Sequence, residues 1–277
     1  MKKTAFLKWL SLGMLLSVAV ACGKEDDDDL NNPPAKEEQK PTAADPTPDT
    51  KGQLPKLVEN QSLRFNLWAE NNVGWVGSFN GSNLPITQYI DYVKVSSYDE
   101  STKSFKEEWT DEFESFNTTR WSKGDWAIGI VTERTDNIVV EDGVLQLKLT
   151  KEMVDGAAKY YGAELLSKES FKYGRYEAKM KMACAPGCIS SMFLYYNDSY
   201  KSGKNWNELD IEVLGKNSNA FQSNIITGIS SAKTTTEKIH ALPFDVRNDY
   251  HIYVMEWTPE YVSWSIDGVE MRRTVAR

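Results

Sequence analysis

Short runs of alternating apolar and polar side chains, separated by turn sequences, limit the fold of this chain most strongly. Residues 173–182 and 261–266 alternate in this way, and a period of two is typical of strands that bury one face. Asp267-Gly268 follows the second run and precedes another, a pair of residues that favours a tight hairpin. With almost no helical periodicity beyond residue 60, the pattern predicts an all-β domain over 60–277, a β-sandwich or jelly roll.

Composition narrows the function classes. The net charge of −8 argues against a nucleic-acid-binding protein, which normally presents a basic face. Three cysteines in 277 residues exclude a small scaffold held together by disulfides. Nine tryptophans and 13 tyrosines suit the core of packed sheets, and they equally suit a carbohydrate cleft in which flat rings contact sugar faces.

The N-terminus has the features of an export signal. Lys2, Lys3 and Lys8 precede an apolar run over 9–21, which is too short for a comfortable membrane span. Cys22 follows small residues and resembles the lipidated cysteine of a bacterial lipobox. We therefore expect a lipoprotein signal peptide over 1–21 and a lipid on Cys22. The alternative is ordinary cleavage near Ala21, which would leave Cys22 a free thiol.

An acidic, proline-rich stretch follows the signal. Residues 22–59 contain many acids and six of the ten prolines, a composition that favours a disordered tether. Lys24-Glu25-Asp26 resembles the surface-export signal of some Gram-negative lipoproteins. The alternative is a solvated acidic segment that carries no export signal. The expected location is the outer membrane of a Gram-negative bacterium, on the cell surface.

Three carboxylates occupy alternate positions of one predicted strand. Glu208, Asp210 and Glu212 are separated by apolar residues, so a strand would point all three to one face. Such crowding opposes stability and drives the pKa values of the acids apart. An exposed strand face is the alternative interpretation, but such a face more often mixes lysine and threonine with its acids.

Paired carboxylates of this kind suit glycoside hydrolysis. One carboxylate attacks the sugar or activates water, while the other protonates the leaving oxygen. Cα atoms four residues apart on a strand lie about 13 Å apart, and inward-leaning side chains can reach the ~5–5.5 Å of a retaining enzyme. Spacing alone leaves the wider inverting geometry open.

The sequence around the three acids, Trp206-Asn-Glu-Leu-Asp-Ile-Glu-Val-Leu-Gly215, resembles the active-site strand of glycoside hydrolase family 16, and specifically its bacterial licheninases. Several other segments also resemble licheninase sequences, among them 63–68, 121–126, 190–195 and 221–228. The resemblance implies a concanavalin A-like jelly roll and a retaining endo-glucanase that cuts β-1,4 bonds in mixed-linkage β-1,3-1,4-glucan. It implies no required cofactor.

The resemblance also implies roles for individual residues. Glu208 would be the nucleophile and Glu212 the general acid/base, with Asp210 orienting the nucleophile. Family members that cut β-1,3-glucan or galactans usually carry an extra residue before the last glutamate, and this chain does not. By the same resemblance the sugar-contacting residues are Trp206, Trp126, Trp68, Trp75, Phe193 and Tyr195 as aromatic platforms, and Arg64, Asn66, Asn197, Glu164, Gln222 and Asn224 as partners of hydroxyl groups.

The order of the matching segments departs from the usual licheninase order. The segments over 63–68 and 92–94 normally come last, after the Asp-Gly hairpin, whereas here they come first. This resembles a circular permutation with its cut between Thr274 and Leu63, which nearby termini make tolerable. A gene artefact that joins parts of two domains is the alternative, but each expected segment is present once.

Further expectations concern cysteines, metal and partners. Cys184 and Cys188 bracket a turn, and either a disulfide or two buried thiols fits an exported protein. Family members often bind one structural calcium ion, which the resemblance places near Asp91 and Gly143. We expect a monomer that binds β-glucan, contacts the outer membrane through its lipid and binds no nucleic acid.

Rival functions remain open from the sequence. Within the enzymes, β-1,3-glucanase and xyloglucanase specificities compete with the licheninase interpretation. Outside them, a non-catalytic surface lipoprotein that captures glycans is the main rival, and a structural lipoprotein or adhesin is a third. A binding protein has no use for three mutually repelling acids in its cleft, so the trio favours an enzyme.

Overall fold

A computed structural model describes residues 44–276 of the chain. This part consists almost entirely of strands, with one short α-helix, α1 (Val73–Val76), and two 3-10 turns, Leu54–Lys56 and Thr135–Asn137. The strands are β1 (Thr47–Pro48), β2 (Gln61–Ala69), β3 (Ile86–Asp99), β4 (Ser104–Asp111), β5 (Trp121–Lys123), β6 (Ala127–Ile128), β7 (Val131–Glu133), β8 (Ile138–Glu141), β9 (Val144–Val154), β10 (Ala157–Phe171), β11 (Gly174–Lys181), β12 (Cys188–Tyr195), β13 (Glu208–Leu214), β14 (Ala220–Ile229), β15 (Ala232–Thr235), β16 (Lys238–Ala241), β17 (His251–Trp257), β18 (Tyr261–Ile266) and β19 (Val269–Val275).

The strands form two main antiparallel sheets. The front sheet runs β10-β2-β12-β13-β14, with β5 beside β10 and with β15 and β16 beside β14. The back sheet runs β8-β9-β3-β11-β17-β18-β19, and β4 also pairs with β3. The β9–β10 hairpin connects the two sheets. The predicted all-β sandwich is therefore present.

Alternation along the strands builds the core between the sheets. In β13, Leu209, Ile211 and Val213 are fully buried, on the opposite face from the three acids. In the back sheet, Tyr176 and Ala178 of β11 are likewise buried, at alternate positions. The period-two pattern thus buries one face of each strand and leaves the other face of the front sheet available for a site.

The predicted Asp-Gly hairpin is also present. Asp267 and Gly268 join β18 to β19 with φ values of 50° and 79°, the left-handed conformation that a type I′ hairpin turn requires. Asp142 and Gly143 join β8 to β9 in the same way, with φ values of 52° and 73°. The sequence signal and the backbone geometry agree at both turns.

Strands from the early part of the chain lie inside the sheets. β2 pairs with β10 on one side and with β12 on the other, and β3 lies between β9 and β11. Both elements therefore pair with strands that come much later in the sequence. This placement makes residues 61–99 an integral part of the sandwich.

Packing begins earlier than the predicted boundary at residue 60. β1 pairs in parallel with the end of β19, and Gln53 and Leu57 are each only 1% exposed. The prediction that the tether extends to residue 59 is therefore wrong for 47–59, because proline and acid content masked a short packed segment. The rest of the tether, the signal peptide and Cys22 lie outside the described residues. Among residues 44–276, no helix is long and apolar enough to cross a membrane.

Candidate active site

The three acids of β13 lie at the centre of the front sheet. Across the β12 side, Glu208 is opposite Tyr195, Asp210 opposite Phe193 and Glu212 opposite Ser191. Across the β14 side, Asp210 is opposite Asn224, and Glu212 is opposite Gln222. Since paired positions on adjacent strands share a face, the acids and these polar and aromatic neighbours form one continuous surface.

A cleft of about 580 Å³ lies over this surface. Its walls come from strands β2, β6, β10, β12 and β13, from the residue before β6 and from the loop between β12 and β13. The lining residues are Arg64, Asn66, Trp68, Trp126, Ala127, Ile128, Glu164, Ser191, Phe193, Tyr195, Asn197, Tyr200, Trp206, Glu208, Asp210 and Glu212. Aromatic rings combined with a few fixed polar groups are the composition expected of a sugar-binding cleft.

Glu208 is held by donors that favour its ionised form. The indole Nε1 of Trp206 donates to its Oε2 at 2.6 Å, and the Lys233 ammonium lies 3.9 Å from the centre of the Trp206 ring. Burial raises the pKa of Glu208 to about 7, while Trp206, Lys233, Asp210 and Arg64 act to lower it. Glu208 is thus the acid of the trio with the most support for a negative charge.

Asp210 and Glu212 retain their protons more strongly. Burial is the main cause that raises the pKa of Asp210 well above its usual value, and the charges of Glu208 and Glu212 add to it. Burial and the charge of Glu208 raise the pKa of Glu212 to about 8, although Gln222 donates to its Oε2 at 2.7 Å. Burial therefore raises the pKa of all three carboxyls, and neutral pH favours the protonated form of Glu212.

A fixed cationic group lies beside the trio. Arg64 donates to Glu164 at 2.7 Å and to Asn197 at 2.8 Å, and its Nε donates to Ser62 at 2.8 Å. Its guanidinium lies 4.7 Å from the centre of the Tyr195 ring. Burial raises the pKa of Glu164, which Arg64 counteracts. These contacts hold both side chains in place for hydrogen bonding to a neutral ligand.

Most of the sugar-contacting residues expected from the sequence line the cleft, and three do not. Trp75, on the short helix α1, packs against Trp68 with ring centroids 6.1 Å apart and lies behind it. Gln222 bonds to Glu212, and the Asn224 side chain acts to lower the pKa of Asp210. Gln222 and Asn224 share the face of the sheet that carries the acids, and sugar contacts by all three residues stay a prediction.

Several cleft residues were missed by the sequence analysis. Ser191 precedes Phe193 and Tyr195 at the strand period, so extending the alternation along β12 identifies it. Ile128 and Tyr200 come from a two-residue strand and a turn, and no local pattern marks them. Lys233 contacts Trp206 only through the β14–β15 hairpin, a contact that the sequence alone does not show.

The cysteines and the expected calcium position lie away from the cleft. Cys184 and Cys188 are both buried as free thiols, the second of the two alternatives, and burial raises their pKa values to about 11 and about 12. Asp91 forms an ion pair with Lys179 at 2.7 Å. Over residues 44–276 no cluster of three acids, histidines or cysteines could hold a metal. Calcium binding near Asp91 and Gly143 stays a prediction.

Comparisons with a family model and with known proteins point to the same family. Glycosyl hydrolases family 16 matches residues 126–277. A beta-glucanase of Fibrobacter succinogenes is 53% identical over 119 residues, which cover 43% of this chain and 34% of that protein. A beta-glucanase of Acetivibrio thermocellus is 35% identical over 164 residues, covering 58% and 47%. The chain thus aligns with between a third and a half of the length of these two relatives.

Solved structures match the same architecture. A beta-1,3-1,4-glucanase (lichenase) from a mouse hindgut metagenome superposes with a TM-score of 0.53 and 38% identity, over 59% of this chain and 76% of that chain. The Bacillus licheniformis beta-glucanase gives a TM-score of 0.50 and 30% identity, over 59% and 75%. The predicted jelly-roll fold is confirmed, as is the resemblance to family 16.

Proposed function

This chain belongs to the glycosyl hydrolases of family 16, and we propose that it is an endo-β-glucanase that hydrolyses β-1,4 bonds in mixed-linkage β-1,3-1,4-glucan with retention of configuration. One observation carries the proposal: Glu208, Asp210 and Glu212 lie on one face of β13 in a cleft lined by aromatic rings, where burial raises the pKa of each carboxyl. The printed names of the relatives, beta-glucanase and lichenase, support the substrate class.

The roles of the acids follow from their surroundings. Glu208 has the lower pKa of the two glutamates, because Trp206 and Lys233 offset its burial, and it acts as the nucleophile. Glu212 has its pKa raised to about 8, so it carries a proton at neutral pH and serves as the general acid. Asp210 lies between them, and its protonated form donates a hydrogen bond that orients the Glu208 carboxylate.

The reaction proceeds in two displacements. In the first, a Glu208 oxygen bonds to the anomeric carbon, while the bond from that carbon to the glycosidic oxygen breaks and this oxygen takes the Glu212 proton. In the second, ionised Glu212 removes a proton from water, whose oxygen bonds to the anomeric carbon and releases Glu208. Two inversions at one carbon leave its configuration unchanged. No metal or cofactor is needed for either step.

The cleft favours an uncharged polymer. Trp206, Tyr195 and Phe193 present aromatic rings along one side of the acids, and such rings pack against the apolar faces of glucosyl units. Arg64 is already paired with Glu164, so it offers hydrogen bonds without an unbalanced charge. This arrangement suits the hydroxyl groups of a neutral β-glucan.

We also propose that the domain is circularly permuted. Support comes from β2 and β3, which lie inside the sheets although they precede the other front-sheet and back-sheet strands in the chain. The family match starts only at residue 126, which leaves these two strands outside it. A permutation explains how a cleft of the usual composition is built with Arg64 and Asn66 from an early strand.

The location of the protein is a further proposal, supported by sequence alone. Lys2, Lys3, the apolar run over 9–21 and Cys22 favour an exported lipoprotein anchored in the outer membrane of a Gram-negative bacterium. A monomer on the cell surface would then meet its polymeric substrate directly.

The activity is tested by assaying reducing ends released from barley mixed-linkage glucan and, in parallel, from laminarin. We expect release from the first substrate only. The variant Glu208→Gln should release no reducing ends, and its thermal unfolding transition at pH 5 should show that it is folded. Release from laminarin alone would replace the proposed specificity with that of a β-1,3-glucanase. No release from either, despite binding of the polymer by the folded protein, would make it a glycan-capturing protein.

A further inference from the structure

The segment 49–59, here called the N-terminal brace, bonds to strands β14 and β15 and to Asn207, the residue directly before the catalytic strand β13. Gln53, 1% exposed, and Leu57, 1% exposed, are its most buried members, together with Asp49. The Asp49 carboxylate accepts a hydrogen bond from the Leu54 amide at 2.8 Å, which fixes the turn of the brace. The burial of these residues indicates a packed structural segment and not a flexible linker.

The first set of contacts ends at Asp210. The Gln53 side-chain amide donates to the carbonyls of Ile225 at 2.8 Å and Thr234 at 2.9 Å, which ties β14 to β15. Thr236 Oγ1 in turn donates to Gln53 Oε1 at 2.8 Å. The Thr236 amide donates to Asn224 Oδ1 at 3.0 Å. Asn224 lies directly opposite Asp210 on the neighbouring strand, and its side chain acts to lower the pKa of Asp210.

The second set of contacts ends beside Glu208. Asn207, fully buried, lies between Trp206 and Glu208 in the chain. Its side-chain oxygen accepts from the amides of Val58 at 2.8 Å and Glu59 at 2.9 Å, and its nitrogen donates to the carbonyl of Lys56 at 2.9 Å. The same nitrogen also donates to the Trp206 carbonyl. The side-chain amide of Asn207 thus accepts two hydrogen bonds and donates two.

We infer that the N-terminal brace positions the catalytic carboxylates: Gln53 acts through Thr236 and Asn224 on Asp210, and residues 56–59 act through Asn207 on Trp206 and Glu208. The brace touches no substrate-binding surface, so these are positioning residues. The inference rests on the proposed function for the meaning of the carboxylates, and on the hydrogen bonds alone for the coupling.

The physical reason is the narrow tolerance of a two-carboxylate site. Loss of the Gln53 amide removes one donor from each of the carbonyls of Ile225 and Thr234, although the Thr236 amide still donates to the Ile225 carbonyl at 3.2 Å. The segment that carries Thr236 is then held less firmly. Asn224 then loses the amide that fixes its orientation, and Asp210 loses its fixed partner. A displacement of a catalytic group by about 1 Å costs up to about 100-fold in rate.

The experiment compares four variants of the full chain. Gln53→Leu removes the first set of contacts, and Thr236→Val removes the hydroxyl link at constant shape. The same hydroxyl accepts from Arg272 Nη2 at 3.2 Å, so Thr236→Val removes that contact too, whereas Gln53→Leu leaves it in place. Thr236→Ser restores the hydroxyl. Thr47→Val is the matched control, because Thr47 donates to the Arg273 carbonyl at 3.0 Å and has no route to the acids. Circular dichroism and melting temperature establish that each variant is folded.

On mixed-linkage glucan, we expect kcat to fall about 10- to 100-fold in Gln53→Leu and at least threefold in Thr236→Val, with KM within about twofold of wild type. Thr236→Ser should recover most of the loss, and Thr47→Val should match wild type. Folded Thr236→Val with wild-type kcat would overturn the inference, and so would an equal loss in Thr236→Ser.

An NMR measurement separates this inference from the proposed function. The side-chain amide signals of Asn224 should shift in Gln53→Leu and Thr236→Val but not in Thr47→Val, whether or not the protein cleaves glucan. Absence of activity in wild type together with these shifts would refute the proposed function and keep the coupling. Unchanged Asn224 signals in both variants would refute the coupling itself.

Discussion

Replacing Glu208 with glutamine should make the protein more stable at alkaline pH while abolishing its activity. The folded state raises the pKa of this carboxyl from 4.5 to about 7, mainly through burial. A carboxyl with a raised pKa binds its proton more tightly in the folded state, so folding stability falls as pH rises from about 4.5 to about 7. The glutamine variant lacks this titration.

The magnitude follows from the pKa. One pKa unit corresponds to about 1.4 kcal/mol, so the full rise in the pKa of Glu208 is worth about 3 kcal/mol. Because Glu208 is only half-buried in an open cleft, water screens part of this penalty. We expect Glu208→Gln to gain about 1–3 kcal/mol relative to wild type between pH 4.5 and pH 8. Lower repulsion on Glu212 acts in the same direction.

The assay is urea denaturation at a series of pH values between 4.5 and 8, for wild type, Glu208→Gln and the control Glu169→Gln. Glu169 is an exposed glutamate of β10, so its curve should run parallel to wild type. Parallel curves for wild type and Glu208→Gln would refute the reasoning, because they would mean that Glu208 is no more difficult to ionise in the folded protein than in the unfolded one.

Three other substitutions test separate parts of the structure. Lys233→Met removes a cation that lowers the pKa of Glu208, so the acidic limb of the pH–kcat profile should move upward, by a few tenths of a pH unit or more. Arg64→Met leaves the buried carboxylate of Glu164 without its ion pair and should cost about 3–5 kcal/mol of unfolding free energy, measured by denaturation; no loss would contradict the buried pair. Glu133→Met replaces a carboxyl that is 2% exposed, has no hydrogen-bond partner among residues 44–276 for either oxygen and has its pKa raised to about 9 by burial. We expect a gain of about 1–3 kcal/mol at pH 7, and a loss would show that the carboxyl has a partner.

Local alternation was enough to predict the elements that matter most for the site. Glu208, Asp210 and Glu212 share a face because strand side chains alternate, and the buried Leu209 and Ile211 between them confirm that register. The Asp267-Gly268 hairpin follows from backbone preferences of two residues. The period of two is therefore sufficient to predict which side chains of a single strand lie on the same face.

Contacts between distant segments could not be read from the sequence. The Gln53 amide bonds to Ile225, 172 positions away, and the acidic, proline-rich composition around it indicated a tether instead. The contact of Trp75, on the four-residue helix α1, with Trp68 is likewise one that no local pattern indicates. In both cases the outcome depends on how separate elements pack, and no local period reports that packing.

The central claim, retaining hydrolysis by Glu208 and Glu212, is tested most directly by the stereochemistry of the first product. Proton NMR during the first minutes of mixed-linkage glucan hydrolysis records the anomeric configuration of the new reducing end before mutarotation. Two displacements at the anomeric carbon predict that the β-anomer appears first and the α-anomer grows in later. Initial release of the α-anomer would contradict the account, because it would require a single displacement by water with no bond to Glu208.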